Sequence, residues 1–472
     1  MKLHNVQTLV MRAHPGPAVA HVIACIPDHC GRRAAALLKT HEASYGLEGE
    51  TSMCRSVGFS FAGLEALRVP TSYLSLFRRL APAFAAGAVQ RSVDLGDGGA
   101  SGAAHWSAAF RQDRAHVVLT WHGDLLDVQK AANDFKATWY DTFRKELENT
   151  LSGDGTASPF GEPEILTGAR LDAPPGKEGQ WVHFGFRDGI SEIRIEDTPA
   201  QPIAPDSRKY VPGTLILGDV NHAGFNLFAL SHAPDKVIKF FHDSSFGILR
   251  PMLQDLEAFE QAIRRWMAEM APTIGDRATR DFVKAKLCGR WPDGTVLRPG
   301  EFTPGNASLV LDLAGDAAGE GCPFGSHVRR MRAAPDRYGG IYERPLQRRS
   351  FPFGPAAWSE RPDDQEPRGH LGHFFCANIE DQFEHLLGQW AARAPLGCSR
   401  GDTAQDPLDG PHDDPDAALK VPLQGFDTQW LSGFRPWTTT LGTMYAWHPG
   451  KVGWEALMTE DFVPKEDEGP WL

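Results

Sequence analysis

Along the first 150 residues, apolar positions alternate between the two-residue period of strands and the three- to four-residue period of helices. Short runs rich in apolar and β-branched residues predict strands at 6–11, 21–26, 56–61 and 115–121. A long helix is predicted after the fourth run, because apolar residues recur there on one face: Leu125, Val128, Ala132, Phe135, Trp139, Phe143 and Leu147. Strands mixed with helices at this density are typical of an α+β fold.

A second block of similar content begins near residue 176. It contains strand-like runs at 245–252, 350–353, 372–378 and 444–448, and helical stripes over 256–270 and 383–390. Two such blocks predict a duplicated α+β sandwich, with one domain at 1–175 and the other at 176–472. The Gly-rich segments 96–102 and 152–163 and the acidic segment 400–416 are predicted to be exposed loops.

The composition is that of a globular protein with an acidic surface. The 472 residues are 42% hydrophobic and carry a formal net charge of -12, so we expect neither nucleic acid nor an anionic membrane as a partner. No run of eighteen apolar residues occurs, so no segment is predicted to span a membrane.

Seven cysteines occur without a C-x-x-C pair, which argues against a disulfide framework and against a zinc site. The N-terminus also lacks the charged and apolar regions of a signal peptide. These features predict a cytoplasmic protein. The sequence leaves the oligomeric state open, including a homo-oligomer.

Three stretches place charge or imidazole between apolar residues: GFRDG at 185–189, CPFGSHVRR at 322–330 and LQRRSFPFGP at 346–355. In the second stretch, His327 follows Gly325 and Ser326, which are small enough to let a flat ligand approach the backbone closely. A single histidine in a chain of this size is more often a buried structural residue than a ligand. The combination of the three stretches favours a functional site.

In order and spacing, these stretches resemble the signatures of the dye-decolourising peroxidases. The family's glycine-x-x-aspartate-glycine is similar to 185–189, its cysteine-proline-phenylalanine-glycine-x-histidine to 322–327, and its paired arginines before x-x-proline-aromatic-glycine to 348–354. Segments 56–67, 283–294 and 377–390 are similar to its N-terminal and central regions and to the C-terminal helix of its longer members. The resemblance therefore extends over most of the chain.

The resemblance implies two ferredoxin-like domains with haem b in the C-terminal half. It also implies a peroxidase that reduces hydrogen peroxide while oxidising phenolic, dye-like or other organic one-electron donors. By the same resemblance, His327 is the proximal iron ligand, Asp188 and Arg348 are the distal catalytic pair, and Ser350 is a further distal polar group.

The implied roles suit the chemistry of these side chains. A carboxylate such as Asp188 can move a proton from one peroxide oxygen to the other, a general acid–base role worth about 10² to 10⁴ in rate. The Arg348 guanidinium stabilises the charge that develops on the leaving oxygen. Since an ordinary aspartate titrates near a pKa of ~3.9, we expect activity to extend to acidic pH. The two residues are expected to be charge partners.

Other residues are assigned supporting roles. Gly185 and Gly189 are expected to turn the chain tightly against the cofactor, and Arg330 to bind a haem propionate. The carboxylate that orients the proximal histidine is expected to be Glu380 or Asp381.

Alternatives to the peroxidase hypothesis stay open at this point. A haem-binding carrier of the same fold would keep His327, although it would need neither distal residue. His370 or His373 could compete as the iron ligand, and His370 stands where the family typically has an apolar residue. The stretch 397–401 matches the G-x-S-x-G of hydrolases, but it follows a helix and precedes an acidic loop. The natural electron donor and any surface radical site among Trp and Tyr are not determined.

Overall fold

The structure of the protein is a computed structural model, which describes residues 3–47, 52–111, 114–149, 161–196, 198, 204–228, 231–332, 343–358, 366–393 and 405–462. Its strands are β1 (Ala18–Ala24), β2 (Cys54–Phe59), β3 (Val117–Gly123), β4 (Glu164–Ala169), β5 (Gln180–Val182), β6 (Phe186–Asp188), β7 (Ile193–Ile195), β8 (Arg208–Tyr210), β9 (Ser245–Gln254), β10 (Gln347–Arg348), β11 (Phe351–Phe353), β12 (Gly369–Cys376), β13 (Ala418–Leu423), β14 (Phe426–Ser432), β15 (Thr438–Thr440) and β16 (Met444–His448).

The α-helices are α1 (Thr8–Met11), α2 (Gly31–Leu38), α3 (Phe61–Ala66), α4 (Thr71–Leu80), α5 (Pro82–Ala86), α6 (Ala88–Arg91), α7 (Leu125–Asn149), α8 (Asp235–Phe241), α9 (Leu256–Ile274), α10 (Arg280–Cys288), α11 (His327–Met331) and α12 (Lys451–Thr459). Two consecutive π-helical segments, Ile379–Glu384 and Leu386–Ala391, are here called the π-helix pair. Single 3-10 turns lie at Leu3–Asn5, Lys39–His41, Gly99–Ser101, Ala103–His105, Ala108–Phe110, Pro212–Thr214 and Gly275–Arg277. None of the described helices has the length and apolar character needed to cross a membrane.

The first half of the chain has the ferredoxin-like order of elements. The succession β1, α2, β2, β3, α7, β4 folds into an antiparallel sheet of strand order β2-β3-β1-β4. All seven residues of β1 and of β3 are buried, so both faces of this sheet are covered. The aromatic stripe of α7 packs on one face, where Phe135, Trp139 and Phe143 are at most 1% exposed.

The second half repeats this arrangement. Strand β9 is followed by α9, then by β10 and β11, by β12, by the π-helix pair and by β16. The strand order is β10-β12-β9-β16, with β11 also paired to β12. The second, third, first and fourth strands of this half thus lie side by side, which is the same ferredoxin-like order as in the first half.

The two halves join into one ten-stranded sheet. Strand β16 pairs with β2 through Trp447 and Phe59. At the opposite edges, β4 lies against β11, since a Cβ placed on Gly168 would come within 2.8 Å of the Pro352 carbonyl oxygen. The predicted α+β fold is confirmed, and the domain boundary at residue 175 stays a prediction.

Most predicted elements are present with shifted ends, but the strand predicted at 6–11 is wrong. This segment forms helix α1 instead. The reason is tertiary: the Gln7 side chain donates to the carbonyls of Val57 and Pro449 at 2.8 and 3.1 Å and accepts from the Val57 N–H at 3.0 Å. These contacts hold the segment in place, and all four residues of α1 are buried.

Candidate functional site

His327 is the first residue of α11 and is held by a carboxylate from a distant segment. Its Nδ1 lies 3.0 and 2.9 Å from the two carboxylate oxygens of Asp406, which is completely buried. Oδ1 of Asp406 also accepts hydrogen bonds from the backbone N–H groups of Leu408 and Asp409, at 2.9 and 3.0 Å. These backbone hydrogen bonds fix the position of the carboxylate independently of its contact with the imidazole.

The two groups shift each other's pKa in opposite directions. Burial alone would raise the pKa of Asp406, but His327, Arg330 and the Leu408 N–H outweigh burial and lower it to about 2. Burial alone would lower the pKa of His327, but the Asp406 carboxylate outweighs burial and raises it. The pair is therefore a charged carboxylate oriented toward one nitrogen of an imidazole.

The expectation that Glu380 or Asp381 would orient His327 is wrong. Glu380 accepts from the Ala83 N–H at 2.6 Å, and Asp381 pairs with Arg344. Asp406 was missed because it lies in the acidic segment that composition assigned to an exposed loop. The one sequence signal is that Asp406 is followed by Pro407 and Leu408, which are apolar residues in an otherwise acidic stretch.

The arginines after His327 anchor α11 in the protein interior. Arg329 is 1% exposed and pairs with Asp316, at 3.1 Å between Nη1 and Oδ2. Arg330 is also 1% exposed, and its guanidinium donates to the carbonyls of Gly325, Trp390 and Arg393 at 3.2, 2.8 and 2.6 Å. Arg330 therefore connects α11 to the end of the π-helix pair. Its contact with a haem propionate stays a prediction.

The GFRDG motif forms a tight turn around β6. Gly185 and Gly189 have φ of 75° and 73°, a region that favours glycine because it has no Cβ. Lys284 stabilises the turn, because it donates to the Phe184 carbonyl at 2.9 Å. The side chain is 1% exposed, and its ammonium group pairs with Glu260 at 2.7 Å. The predicted need for both glycines is explained by the backbone, and their contact with a cofactor stays a prediction.

Asp188 ends β6 and is partly exposed. Among the residues that the structure describes, its carboxylate has no hydrogen bond and no salt bridge. Arg348 donates instead to the carbonyl and hydroxyl oxygens of Ser191, at 3.0 and 2.9 Å. The expected direct ion pair between Asp188 and Arg348 is thus not formed, because Ser191 occupies the guanidinium.

The register of β12 places its alternate residues on two different faces. Arg348 lies opposite Phe374, and Pro352 lies opposite His370. Because side chains alternate along a strand, Phe374 and His370 of β12 lie on the same face as Arg348. The Ser350 hydroxyl accepts a hydrogen bond from the backbone N–H of His373 at 3.0 Å. This face, here called the distal face, carries Arg348, Ser350, His370, Gly372 and Phe374.

The Arg348 guanidinium at the distal face affects the pKa of His327. Arg348 lowers the pKa of His327 as a minor cause, which places the guanidinium within electrostatic range of the imidazole. Burial lowers the pKa of His370, with Asp188 opposing and Arg348 adding to the shift. Asp188 and Arg348 therefore lie within electrostatic range of His370, and Arg348 also lies within electrostatic range of His327.

His373 points the other way and is not a competing ligand at this site. It is 1% exposed and packs edge-on against His21 of β1, with ring centroids 5.1 Å apart. The stretch 397–401, which resembled a hydrolase motif, lies outside the described residues.

The donor set around His327 fits a haem. With Nδ1 directed to Asp406, the other ring nitrogen, Nε2, has no hydrogen-bond partner in the described part of the chain, and the side chain is 29% exposed. An imidazole whose far nitrogen is bound to a carboxylate is the axial ligand that haem iron takes in many proteins. The Arg348 guanidinium lies within electrostatic range of this imidazole.

Comparison with known proteins supports the resemblance found in the motifs. No protein-family model matches the chain. The dye-decolorizing peroxidase msp1 of Mycetinis scorodonius is 27% identical over 377 residues, which cover 75% of this chain and 65% of that protein. The chain spans between 48% and 65% of the length of the curated relatives that it matches.

Solved structures share the fold. A dye-decolorizing peroxidase in complex with 2,6-dimethoxyphenol has a TM-score of 0.72 at 21% identity, with 97% of this chain and 99% of that chain covered. The DyP-type peroxidase of Anabaena sp. has a TM-score of 0.71 at 17% identity, with 96% and 94% covered. These values establish similarity of architecture along nearly the whole chain.

Proposed function

We propose that the chain, which is similar to dye-decolourising peroxidases in sequence and in fold, is a haem-dependent peroxidase that reduces hydrogen peroxide and oxidises organic one-electron donors. The observation that carries the proposal is the His327–Asp406 contact, with Arg348 within electrostatic range of the imidazole and with Asp188 and Arg348 both within range of His370. A carrier would need the first pair and would have no use for the second.

On the proximal side, His327 would hold the iron through Nε2 and Asp406 would keep the imidazole oriented. The carboxylate at Nδ1 increases the electron-donating power of the imidazole, which favours cleavage of an O–O bond. The haem, proposed to be of the b type, would supply the electrons for this cleavage when bound.

On the distal side, the Asp188 carboxylate would take a proton from one oxygen of hydrogen peroxide and return it to the oxygen that leaves as water. Its freedom from hydrogen bonds and salt bridges in the described residues suits this role. Arg348 would stabilise the charge on the leaving oxygen, and Ser191 holds the guanidinium in place through two hydrogen bonds.

The organic donors are proposed to be phenols or dyes. This follows from the names of the relatives and from the 2,6-dimethoxyphenol complex of one structural neighbour.

The test is the absorption spectrum of the purified protein after addition of haem, followed by peroxidase assays with a phenol. We expect a Soret band in the wild type and a weakened one in His327→Ala. Asp188→Asn and Arg348→Leu should keep the Soret band but react with peroxide slower by about 10²-fold or more. Asp416→Asn, an exposed carboxylate, is the control. Haem binding without peroxide reactivity in the wild type would favour the carrier, whereas unchanged reactivity in both distal variants would contradict the roles assigned to Asp188 and Arg348.

A further inference from the structure

We propose that His370 is a second proton acceptor at the distal face, able to deprotonate hydrogen peroxide beside Asp188. The inference rests on the proposed peroxidase function and extends it to a residue that neither the GFRDG motif nor the paired arginines contain.

The strand register places His370 at the reaction side. Its cross-strand neighbours are Met252 on β9 and Pro352 on β11, and two residues farther along β12 the same face continues with Gly372. Because side chains alternate along a strand, His370 and Arg348 lie on one face, while Leu371 and His373 lie on the other. His370 is therefore directed to the site by the sheet and does not depend on a mobile loop.

The imidazole of His370 is also available. Neither ring nitrogen has a hydrogen-bond partner among the described residues, and the side chain is partly exposed. By contrast, His183, which lies within electrostatic range of His370, donates from Nε2 to the Phe353 carbonyl at 2.8 Å. A histidine without partners beside a carboxylate and a guanidinium is placed for proton transfer.

Burial favours the neutral form of His370, because it lowers the pKa of the imidazole. Asp188 on β6 and Arg348 on β10 act on it with opposite signs, and His183 and Arg368 are the other ionisable groups nearby. Burial, the largest effect, lowers the pKa of His370 below the ordinary value of 6.5. A neutral imidazole has a free lone pair, which a proton acceptor requires.

The proposed step conserves atoms and charge. One ring nitrogen of His370 would take a proton from one oxygen of hydrogen peroxide, and the imidazolium would then give that proton to the other oxygen, which would leave as water. The haem would supply the electrons for cleavage of the O–O bond when bound. Asp188 performs the same transfer in parallel, so each group can partly replace the other.

The first experiment measures peroxide reactivity in the haem-loaded protein with Asp188→Asn, His370→Gln and the double variant. We expect Asp188→Asn to retain a reaction whose rate falls at acidic pH as an imidazole is protonated. Adding His370→Gln should lower that residual rate by a further tenfold or so at pH 7. His370→Leu is a second substitution at the same position. The control is His105→Gln, which removes an exposed imidazole.

The second experiment follows binding of hydrogen cyanide to the haem, which requires loss of a proton but no turnover. In Asp188→Asn, the pH dependence of the binding rate should follow one imidazole, and it should disappear in the double variant. If the double variant matches Asp188→Asn in both experiments, His370 is not a proton acceptor. A wild type without a Soret band or without peroxide reactivity would instead overturn the proposed function itself.

Discussion

Asp406 illustrates how one buried carboxylate organises the site. It is held by two backbone N–H groups on one side and meets the His327 imidazole on the other, so it sets the direction in which Nε2 points. A ligand that is oriented in advance loses less conformational freedom when it binds a metal.

Replacement of Asp406 by asparagine should weaken haem binding by about 10- to 100-fold, because the neutral amide orients and polarises the imidazole less well. The measurement is a titration of the protein with haem, followed through the Soret band. Asp416→Asn removes an exposed carboxylate from the same segment and should leave the affinity unchanged. Equal affinities for wild type and Asp406→Asn would contradict the assigned role.

Gly185 is a second residue with a specific requirement. Its φ of 75° disfavours residues with a Cβ, and a Cβ there would lie 3.1 Å from the Lys284 Nζ. We expect Gly185→Ala to lower the free energy of unfolding by about 1–2 kcal/mol, measured by urea denaturation. The matched control is Gly98→Ala, where φ is -118° and no atom lies within 4 Å of the added Cβ. A Gly185→Ala protein as stable as the control would show that the turn is not strained.

Among the elements, those with a strong period were predicted well. The amphipathic stripe of α7 and the apolar run of β9 depend on local sequence, and both appear where the pattern placed them. Helix α1 was missed because buried contacts to β2 and to Pro449 outweighed the strand preference of its residues. Local preference decides an element only where tertiary contacts do not oppose it.

Strand β9 is joined to the first half by a buried ion pair. Arg250 donates to both carboxylate oxygens of Asp97, at 2.8 and 2.6 Å, and Thr440 on β15 donates to Oδ1 at 3.1 Å. Both partners are at most 7% exposed, so neither charge can be solvated by water if the other is removed.

Asp97→Ala should therefore destabilise the fold by about 3–5 kcal/mol, because it leaves the buried Arg250 guanidinium without the carboxylate to which it is hydrogen-bonded. The measurement is urea unfolding followed by circular dichroism. Asp134→Asn breaks the exposed pair with Lys130 on α7 and should leave the unfolding midpoint unchanged. A similar small effect in both variants would mean that the buried pair does not connect the halves.

At the scale of the whole molecule, four buried histidines lie on strands of the ten-stranded sheet, two from each half. They are His21, His122, His373 and His448, each at most 1% exposed. His373 lies between His21 and His448, with ring centroids 5.1 and 5.9 Å apart. Each of the four has one buried ring nitrogen without a hydrogen-bond partner among the described residues. The interior therefore accommodates these histidines only while they are neutral.

This cluster makes the fold sensitive to acid. Burial lowers the pKa of His21 and of His448 to about 3, and it lowers the pKa of His122 and His373 well below 6.5. Below pH ~6.5 the unfolded chain binds more protons than the folded one, so stability must fall as the pH decreases toward the folded pKa values. The expected slope is roughly 1.4 kcal/mol per pH unit for each histidine.

The free energy of unfolding, measured between pH 4 and 7, should therefore decrease steeply on the acidic side. His21→Leu should reduce the slope by about one histidine's contribution, whereas the exposed His105→Gln should not change it. A slope that is the same for His21→Leu and wild type would exclude the cluster as its cause.

Local order along the chain was sufficient for the α+β class, for most strands and helices, and for the three motifs that contain Asp188, His327 and Arg348. These features depend on neighbours within a few residues.

Asp406 could not be assigned in this way, because it reaches His327 across 79 residues and its burial depends on the packing of the segment around it. The opposite fates of His370 and His373, one at the site and one in the interior, likewise depend on the register of β12 against β9, β10 and β11. Pairing between distant strands has no local pattern, so only the folded chain assigns these residues their roles.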